Sequence, residues 1–579
     1  MKTKQNIAYI AVLTIAATLL SGCHFLDKNP DMRATIDSKK KVQLLLVSAY
    51  TTANFGPLCE FSSDQVVDNN APDKTGHVKH MVPLSKMYNE IFAWEEIKTD
   101  GGQDSPEYIW EGCYAAIATC NQALKAIEEL EANGTDMSAE KGEALVSRAY
   151  HHFILANVFC QAWRDDNFNK QTMGIYYTTE PETTVKPVYE RGTLYDTYKR
   201  IEEDLEAGLP LLDDSYYSVA SYHFNVKAAH AFAARFYLYT RKWDKVIQHA
   251  DAVLTTSDDA VLDMLYPAKV GMALNDPERE KLLWIEPSSK YNLLINTTMS
   301  QAPYTVLPDY GRYQHNGTAA EESSQTAGPC WRGSFPGFPM WMYGQEYGSW
   351  CAKFRWFFEY TDKVNGYGYI HGVTRAFNTN ETLLCRAEAK VYKNDLTGAA
   401  NDLRLWAQSY NARGTMDTLA DGTVNLTVDK VKNFYKSGAA AYYVPTLHNT
   451  DMSPEFVITD EQKPFVYCVL HFRRLETLFD GLRWFDLKRY GIEITHQRGS
   501  DPLRTLVWND DRRAFQLPQK VLIAGMAENP RSILGDHVSA ASVPVGTTPV
   551  AEENGLNILM PFVGTAGVTV VKYDNDENN

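Results

Sequence analysis

The sequence predicts a mainly α-helical protein, a scaffold of paired helices with long irregular loop inserts and minor β structure. Three observations lead there. Several segments carry apolar residues at three-and-four spacing, the period of a helix with one buried face. Two pairs of these segments meet at tight turns and carry small, Ala-rich faces. Between the pairs, Gly, Pro, Ser and Asn interrupt the helical period. The chain has 579 residues, 44% of them hydrophobic and 22% charged. That length buries a sizeable core, and the composition is that of a folded chain, not a disordered one.

The first residues stand apart from that body. Lys2 and Lys4 precede an uncharged run from Ile7 to Leu20. The run is shorter than the roughly 20 residues a membrane-spanning helix needs, and it reads as a secretory signal peptide over residues 1–22. It ends in Leu20-Ser21-Gly22-Cys23, which resembles a bacterial lipobox with Cys23 as the acylated first mature residue. Several acyl chains would anchor the protein stably at a membrane. The eight remaining cysteines form no C-x-x-C pair and are too sparse for a disulfide scaffold. They read as buried thiols, Cys113 and Cys120 on one helix face, with a Cys330–Cys351 bridge allowed in an oxidising compartment.

The elements follow in order. Helices are predicted over 108–130, 140–163 and 193–212, the last with Asp and Glu on its outer face. Residues 225–241 and 244–255 form a hairpin split by Lys242-Trp243. A similar one covers 381–393 and 396–410, split by Asn394-Asp395. Small residues let two helices approach closely, so each hairpin has the character of a tetratricopeptide-type unit. The long inserts exclude a pure 34-residue tandem array. After an irregular 411–461 comes a helical stretch, 465–490, and a Val/Thr/Gly-rich tail, 537–571, that suits short strands. The division expected is an N-terminal helical part, 23–255, and a C-terminal part, 256–579. The two would pack as one globular unit, with a loop-rich insert at about 256–380.

Charge and motifs then narrow the function. The net charge is −16. An acidic chain lacks the basic surface that nucleic-acid binding needs, so nucleic acid is not expected as a partner. No P-loop, G-x-S-x-G, H-E-x-x-H or Gly-rich dinucleotide turn is present, so neither an enzyme nor a cofactor is expected. His77 and His80 could share a helix face, but no carboxylate or Cys cluster joins them, so no metal site is expected. The acidic end, with Asp574, Asp576 and Glu577, lacks the rest of a calcium loop.

The aromatic content is the unusual feature: 12 Trp, 34 Tyr and 24 Phe. Residues 331–369 hold 14 of these rings in 39 positions, about three times the chain average. Trp331, Trp341, Tyr343 and Trp350 lie in this Gly/Pro-rich insert, where rings are hard to bury as a helix stripe. Flat aromatics there suit the C–H face of a sugar ring, with polar side chains for its hydroxyls. Tyr304, Tyr310 and Tyr313 are weaker candidates. The consecutive Trp356, Phe357 and Phe358 read as core.

One stretch carries a resemblance. Residues 471–491 read HFRRLETLFDGLRWFDLKRYG. Arg473, Arg474, Glu476, Phe479, Gly481, Arg483, Trp484, Asp486, Leu487 and Arg489 resemble the near-terminal signature of the SusD/RagB family of Bacteroidetes surface lipoproteins. Phe515-Gln516-Leu517-Pro518 and Asn529-Pro530 resemble its later phrase. The lipobox, Ser63-Asp64, Trp110-x-x-x-Tyr114 and the helical hairpins stand in the family's order, so the resemblance spans about 23–535. The tail after 535 departs from it.

Taken as residues, the signature is structural. Asp486 is three positions from both Arg483 and Arg489, which allows ion pairs on one helix face. Gly481 suggests a break or a close approach. Trp484, Phe485 and Leu487 cannot share one narrow stripe.

The resemblance implies a non-catalytic, lipid-anchored outer-membrane protein that faces the cell surface and binds oligosaccharide or polysaccharide. It also implies a SusC-like TonB-dependent transporter as partner, and it adds Trp94 to the candidate ligand contacts. A peptide ligand as in the RagB-like branch, a protein-binding helical scaffold and, more remotely, a hydrolase stay open as alternatives.

Overall fold

The computed structural model describes residues 36–532, apart from 74–75, 80, 82–84, 99–101, 183–188, 306–310, 337–339 and 343–348, together with 537–538. Helices α1 (Lys39–Leu46), α2 (Lys86–Phe92), α3 (Pro106–Ala132), α4 (Ser138–Phe159), α5 (Leu194–Gly208), α6 (Val226–Tyr239), α7 (Trp243–Leu254), α8 (Thr379–Tyr392), α9 (Leu396–Tyr410), α10 (Lys463–Glu476) and α11 (Leu482–Tyr490) form the frame. The fold is mainly α, as the periodicity requires.

Local chemistry sets the helix starts. Ser105, Thr193, Asn225, Asn378 and Asp395 each accept a hydrogen bond from a backbone N–H in the first turn. These caps satisfy donors that a helix otherwise leaves open. Helix α5 ends at Gly208, ahead of Pro210. It packs so tightly on α4 that a Cβ at Gly208 would lie 2.9 Å from Val146 Cγ2.

The two helical hairpins turn in the same way. Arg241 (φ 60°) and Asn394 (φ 61°) take left-handed backbone. The N–H groups of Lys242 and Asp395 then reach back to Tyr237 O and Lys390 O, both at 2.9 Å. Trp243 stacks on Tyr392 at 4.1 Å and joins one hairpin to the next.

The stretch 465–490 is two helices, not one. Residues 477–481 separate α10 from α11, with Phe479 (φ 64°) and Gly481 (φ 75°) left-handed. A Cβ at Gly481 would lie 2.7 Å from Gly56 Cα, so the glycine serves both the break and the close approach.

The expected irregular insert contains a sheet. The strands among the described residues are β1 (Val67–Asp68), β2 (Asn292–Thr298), β3 (Tyr313–Gln314), β4 (Met340–Met342), β5 (Ser349–Cys351), β6 (Trp356–Asp362), β7 (Tyr367–Asn378), β8 (Ile494–His496), β9 (Arg504–Leu506) and β10 (His537–Val538). β2, β7 and β6 form an antiparallel sheet in that order. Residues 411–461 also hold more order than their composition suggests, including the helix Val428–Tyr435.

A continuous apolar core runs from Ala53 to Met526, and a smaller one lies under α1 around Val42, Leu46, Cys120 and Ile127. Cys113 and Cys120 are buried thiols. Burial pushes the Cys120 thiol up to about 12. Cys330 is also a free buried thiol, so the bridge to Cys351 is not formed.

The signature helices sit at the centre of the frame. Arg473 donates from Nε to Asp486 Oδ2 at 2.8 Å and from Nη1 to Glu381 Oε1 at 3.3 Å. Glu381 also pairs with Arg235 at 3.2 Å, and Asp486 with Arg489 at 2.7 Å. Arg489 reaches Glu388 at 2.8 Å. Signs alternate along this buried chain, so each charge has opposite neighbours.

Arg483 does not pair with Asp486 as its spacing allows. It donates to Asp64 at 2.9 and 2.7 Å. Burial opposes ionisation of Asp64, yet the Arg474 and Arg483 guanidiniums hold its carboxyl well below the usual range. Glu476 accepts from Trp406 Nε1 and Tyr410 OH, both at 2.9 Å, and burial raises its pKa. Arg474 donates to Gln65 Oε1 at 3.1 Å, and Trp484 is fully buried.

Candidate ligand-binding surface

Among the described residues, a cleft beside α2 and the hairpin of β6 and β7 both bring aromatic rings toward solvent-accessible space.

The cleft has a volume of 610 Å³. Ile91, Trp94, Ile97, Phe515, Leu517 and Pro518 supply its apolar lining. Trp94 is set by the way α2 ends. Trp94 N–H bonds to Ile91 O at 3.1 Å and Glu95 N–H to Glu90 O at 2.9 Å. This is the two-bond helix stop that normally takes a left-handed glycine. Here the position is tryptophan, with φ 54°. A bulky residue in that conformation carries strain, and such strain collects at functional sites.

The Trp94 indole is held from two sides. Its N–H donates to Ser62 O at 3.0 Å, and its face stacks on His496 at 4.3 Å. His496 in turn stacks on Phe92 at 4.1 Å, and Phe92 on Tyr313 at 4.5 Å. The His496 ring nitrogens lie 2.8 Å from Phe92 O and from Ser63 O. Burial lowers the His496 pKa, against these carbonyls and Asp64, which favour the charged ring. Trp94 is only 6% exposed, and it lines the cleft as a fixed wall.

Polar groups rim the space. Glu95 pairs with Arg498 at 3.0 Å and lies 3.9 Å from Arg504. Arg512 is held by Asp510 at 2.7 Å. Gln519, Glu96 and Lys98 add donors and acceptors. Apolar walls under a polar rim suit a ligand with both kinds of surface.

The hairpin is built differently. β7 is rooted at Phe377, fully buried among Tyr150, Phe224 and Phe232. Arg375 on the same strand pairs with Asp480 at 2.9 Å, within the break between α10 and α11. The outer half of β7 leaves the body and pairs with β6, with Phe358 opposite Ile370, Glu359 opposite Tyr369 and Tyr360 opposite Gly368. The turn closes through Asp362, whose Oδ1 accepts from Val364 N at 2.9 Å and Asn365 N at 3.1 Å. Phe358 is 41% exposed, Tyr360 37%, Tyr367 69% and Tyr369 36%.

The residues named from sequence divide as follows. Trp94 lines the cleft. Trp331 is a core residue at 3% exposure, its N–H on Thr326 O and its ring against Phe335, His471 and Phe472. Gly and Pro around it make a loop, but the loop folds its ring inward. Trp341 and Trp350 are register partners across β4 and β5. Tyr304 lies in the short helix Ala302–Thr305. Tyr310, Tyr343 and Cys23 lie outside the described residues.

Trp356, Phe357 and Phe358, expected in the core, occupy β6 with Phe358 exposed. Tyr360, Tyr367 and Tyr369 were not singled out. The signal that marks them is the dense aromatic run on either side of Asn365-Gly366, a turn pair between two strand-like segments. Among the described residues no group of three His, Cys, Asp or Glu could hold a metal ion. Among the same residues no helix is long and apolar enough to cross a membrane.

Comparisons with known proteins place this architecture. Residues 24–238 match a family model described as SusD-like, starch-binding, associating with the outer membrane. Residues 305–516 match the SusD family model. The chain belongs to the SusD/RagB family.

Solved SusD-like structures share the fold. A candidate sugar-binding protein from Bacteroides vulgatus superposes with a TM-score of 0.58 at 17% identity, covering 86% of this chain and 99% of that one. A SusD superfamily protein from Bacteroides thetaiotaomicron gives 0.53 at 16% identity, covering 86% and 100%. A SusD-like carbohydrate-binding protein from Bacteroides vulgatus gives 0.51 at 14% identity, covering 84% and 96%. A search of curated proteins gave no match.

Proposed function

We propose that this SusD/RagB chain is a non-catalytic, sugar-binding lipoprotein of the outer membrane. Cys23 carries the lipid anchor, the protein faces the cell surface, and bound oligosaccharide passes to a SusC-like TonB-dependent transporter. The observation that supports this most is the cleft walled by Trp94. A tryptophan held at a position that favours glycine, with its N–H already satisfied, has only its ring left to offer a ligand. The part of the ring that lines the cleft would meet the apolar C–H groups of a sugar. The carboxylates, guanidiniums and amides of the rim would meet hydroxyls.

Isothermal titration of the mature protein, residues 23–579, against a panel of neutral oligosaccharides tests the reading. At least one glycan should bind, and Trp94→Ala should weaken it by about tenfold or more, which is about 1.4 kcal/mol. Binding of peptides with silence toward every glycan would contradict it. For the anchor, Cys23→Ala should move the protein from the membrane to the soluble fraction, and for the hand-over, the transporter should co-purify with the wild type.

A further inference from the structure

The chain as a whole carries −16, yet the charges lining the cleft do not follow that sign. Three of them are matched by residues outside the lining. Arg498 pairs with Glu95 at 3.0 Å, Lys520 with Glu107, and Asp510 with Arg512 at 2.7 Å. Lys86 and Glu90, both in the lining, lie 3.8 Å apart and offset each other. Glu96, Lys98, Arg504 and Arg531 are then left. Glu96 and Lys98 are exposed and form no ion pair among the described residues. Arg504 lies 3.9 Å from Glu95, which Arg498 already holds more closely. Three cations thus stand against one carboxylate, and the local balance is positive.

Arg531 is the cation with a fixed position. The chain before it is set by Asn529. Asn529 Nδ2 donates to Phe159 O at 2.8 Å and to Phe515 O at 2.7 Å, and Asn529 N donates to Gln516 Oε1 at 2.8 Å. The Arg531 guanidinium is then held by carbonyls. Nη1 donates to Pro530 O at 2.9 Å and to Asp511 O at 3.4 Å, and Nη2 donates to Ala514 O at 3.1 Å. A guanidinium has five N–H donors in one plane. These bonds use three, so the N–H of Nε and one N–H of Nη2 remain. No carboxylate pairs with Arg531 among the described residues, and Glu96 acts on it only from a longer distance. Burial disfavours the Arg531 charge. An anion at the two open donors would offset that cost.

We propose that the cleft takes an acidic oligosaccharide, with a uronate carboxylate on the Nε and Nη2 donors of Arg531 and the rest of the sugar on the apolar lining. The proposal rests on the sugar-binding reading above and names the chemical class of its ligand. A planar carboxylate accepts from two donors of one guanidinium at once, which fixes its orientation as well as adding energy. The carbonyls hold the guanidinium in place beforehand, so little side-chain entropy is lost on binding. The net charge of the whole chain does not oppose this. Exposed charges farther away than about 8 Å are largely screened at physiological salt, so the groups at the cleft decide. A neutral sugar meets the same apolar lining but leaves the two donors to water, and it binds more weakly.

The test is isothermal titration of the mature protein with matched pairs of sugars. The pairs are tetragalacturonate and its methyl ester, tetramannuronate and mannotetraose, and xylotetraose with and without a glucuronate branch. For the pair that binds, the acid should bind about tenfold more tightly than its neutral match. Arg531→Gln should cost the acid about tenfold more than it costs the neutral sugar. Arg531→Lys should recover only part of that loss, because an ammonium keeps the charge without the paired donors.

Equal affinity for acid and neutral sugars would overturn the proposal while leaving the sugar-binding reading in place. Equal losses on both in Arg531→Gln would do the same. Full recovery by Arg531→Lys would overturn the two-donor contact. A tetraglutamate peptide that binds as tightly as the uronate would also overturn it, because the carboxylate would not then need a sugar. Silence toward every sugar, acidic and neutral, removes the sugar-binding reading together with this one.

Discussion

The two helices around the break at 477–481 and the hairpin of β6 and β7 make an instructive contrast. The first region holds the most recognisable motif in the chain, and its Arg473, Trp484 and Asp486 are fully buried. The second holds no motif, and its Phe358, Tyr360, Tyr367 and Tyr369 face solvent. A specific sequence pattern here marks the place where buried geometry is most constrained. Arg473 must satisfy Asp486 and Glu381 together, and few residues can do that. A ring on an exposed strand has no such obligation. The regions are nonetheless joined: Asp480 in the break pairs with both Lys353 and Arg375, so the buried motif holds the root of the exposed hairpin.

The contrast can be broken at its strongest point first. Arg473→Met leaves Asp486 and Glu381 short of a buried partner and should cost about 3–5 kcal/mol, read as loss of soluble folded protein or a collapse of the thermal midpoint. Survival with a wild-type midpoint would mean that the network does not carry the frame. Trp484→Ala should also cost about 3–5 kcal/mol through the cavity it leaves, measured by chemical denaturation.

Glu60 gives a subtler test. It is buried, accepts from Phe479 N at 2.9 Å beside the break, and burial pushes its pKa up to about 8. An acid whose folded pKa is raised holds its proton longer in the folded state. Stability therefore falls as pH rises from the ordinary carboxylate range, about 4.3, toward 8. Glu60→Gln removes that slope. The midpoint of the variant should gain on the wild type between pH 5 and 8, and a constant gap would contradict the assignment. The smallest effect belongs to the hairpin: Tyr367→Ser should change stability by no more than about 0.5 kcal/mol, as for an exposed residue with few contacts.

How much was legible in the sequence follows from the range of each interaction. The helix hairpins could be read because caps, Ala-rich faces and the 3.6-residue period are local. The break at Gly481 could be read because only glycine tolerates that approach to Gly56. The partner of Arg483 could not, since Asp64 lies far away in the chain while Asp486 lies three residues off. β6 is not legible because WFFEYTD shows no apolar–polar alternation: neither face of the strand is fully buried, so no core imposes one. Trp331 misled because Gly and Pro mark a loop but do not say which way a ring within it points. Trp94 was reached through the resemblance. The residue alone gave no sign that it would occupy a glycine position.

The most direct test is hydrogen–deuterium exchange of the mature protein with and without the tightest-binding glycan. Added protection should appear at residues 86–98, with none at 463–490. Protection confined to 463–490, with the cleft unchanged, would place the ligand on the motif and contradict the account.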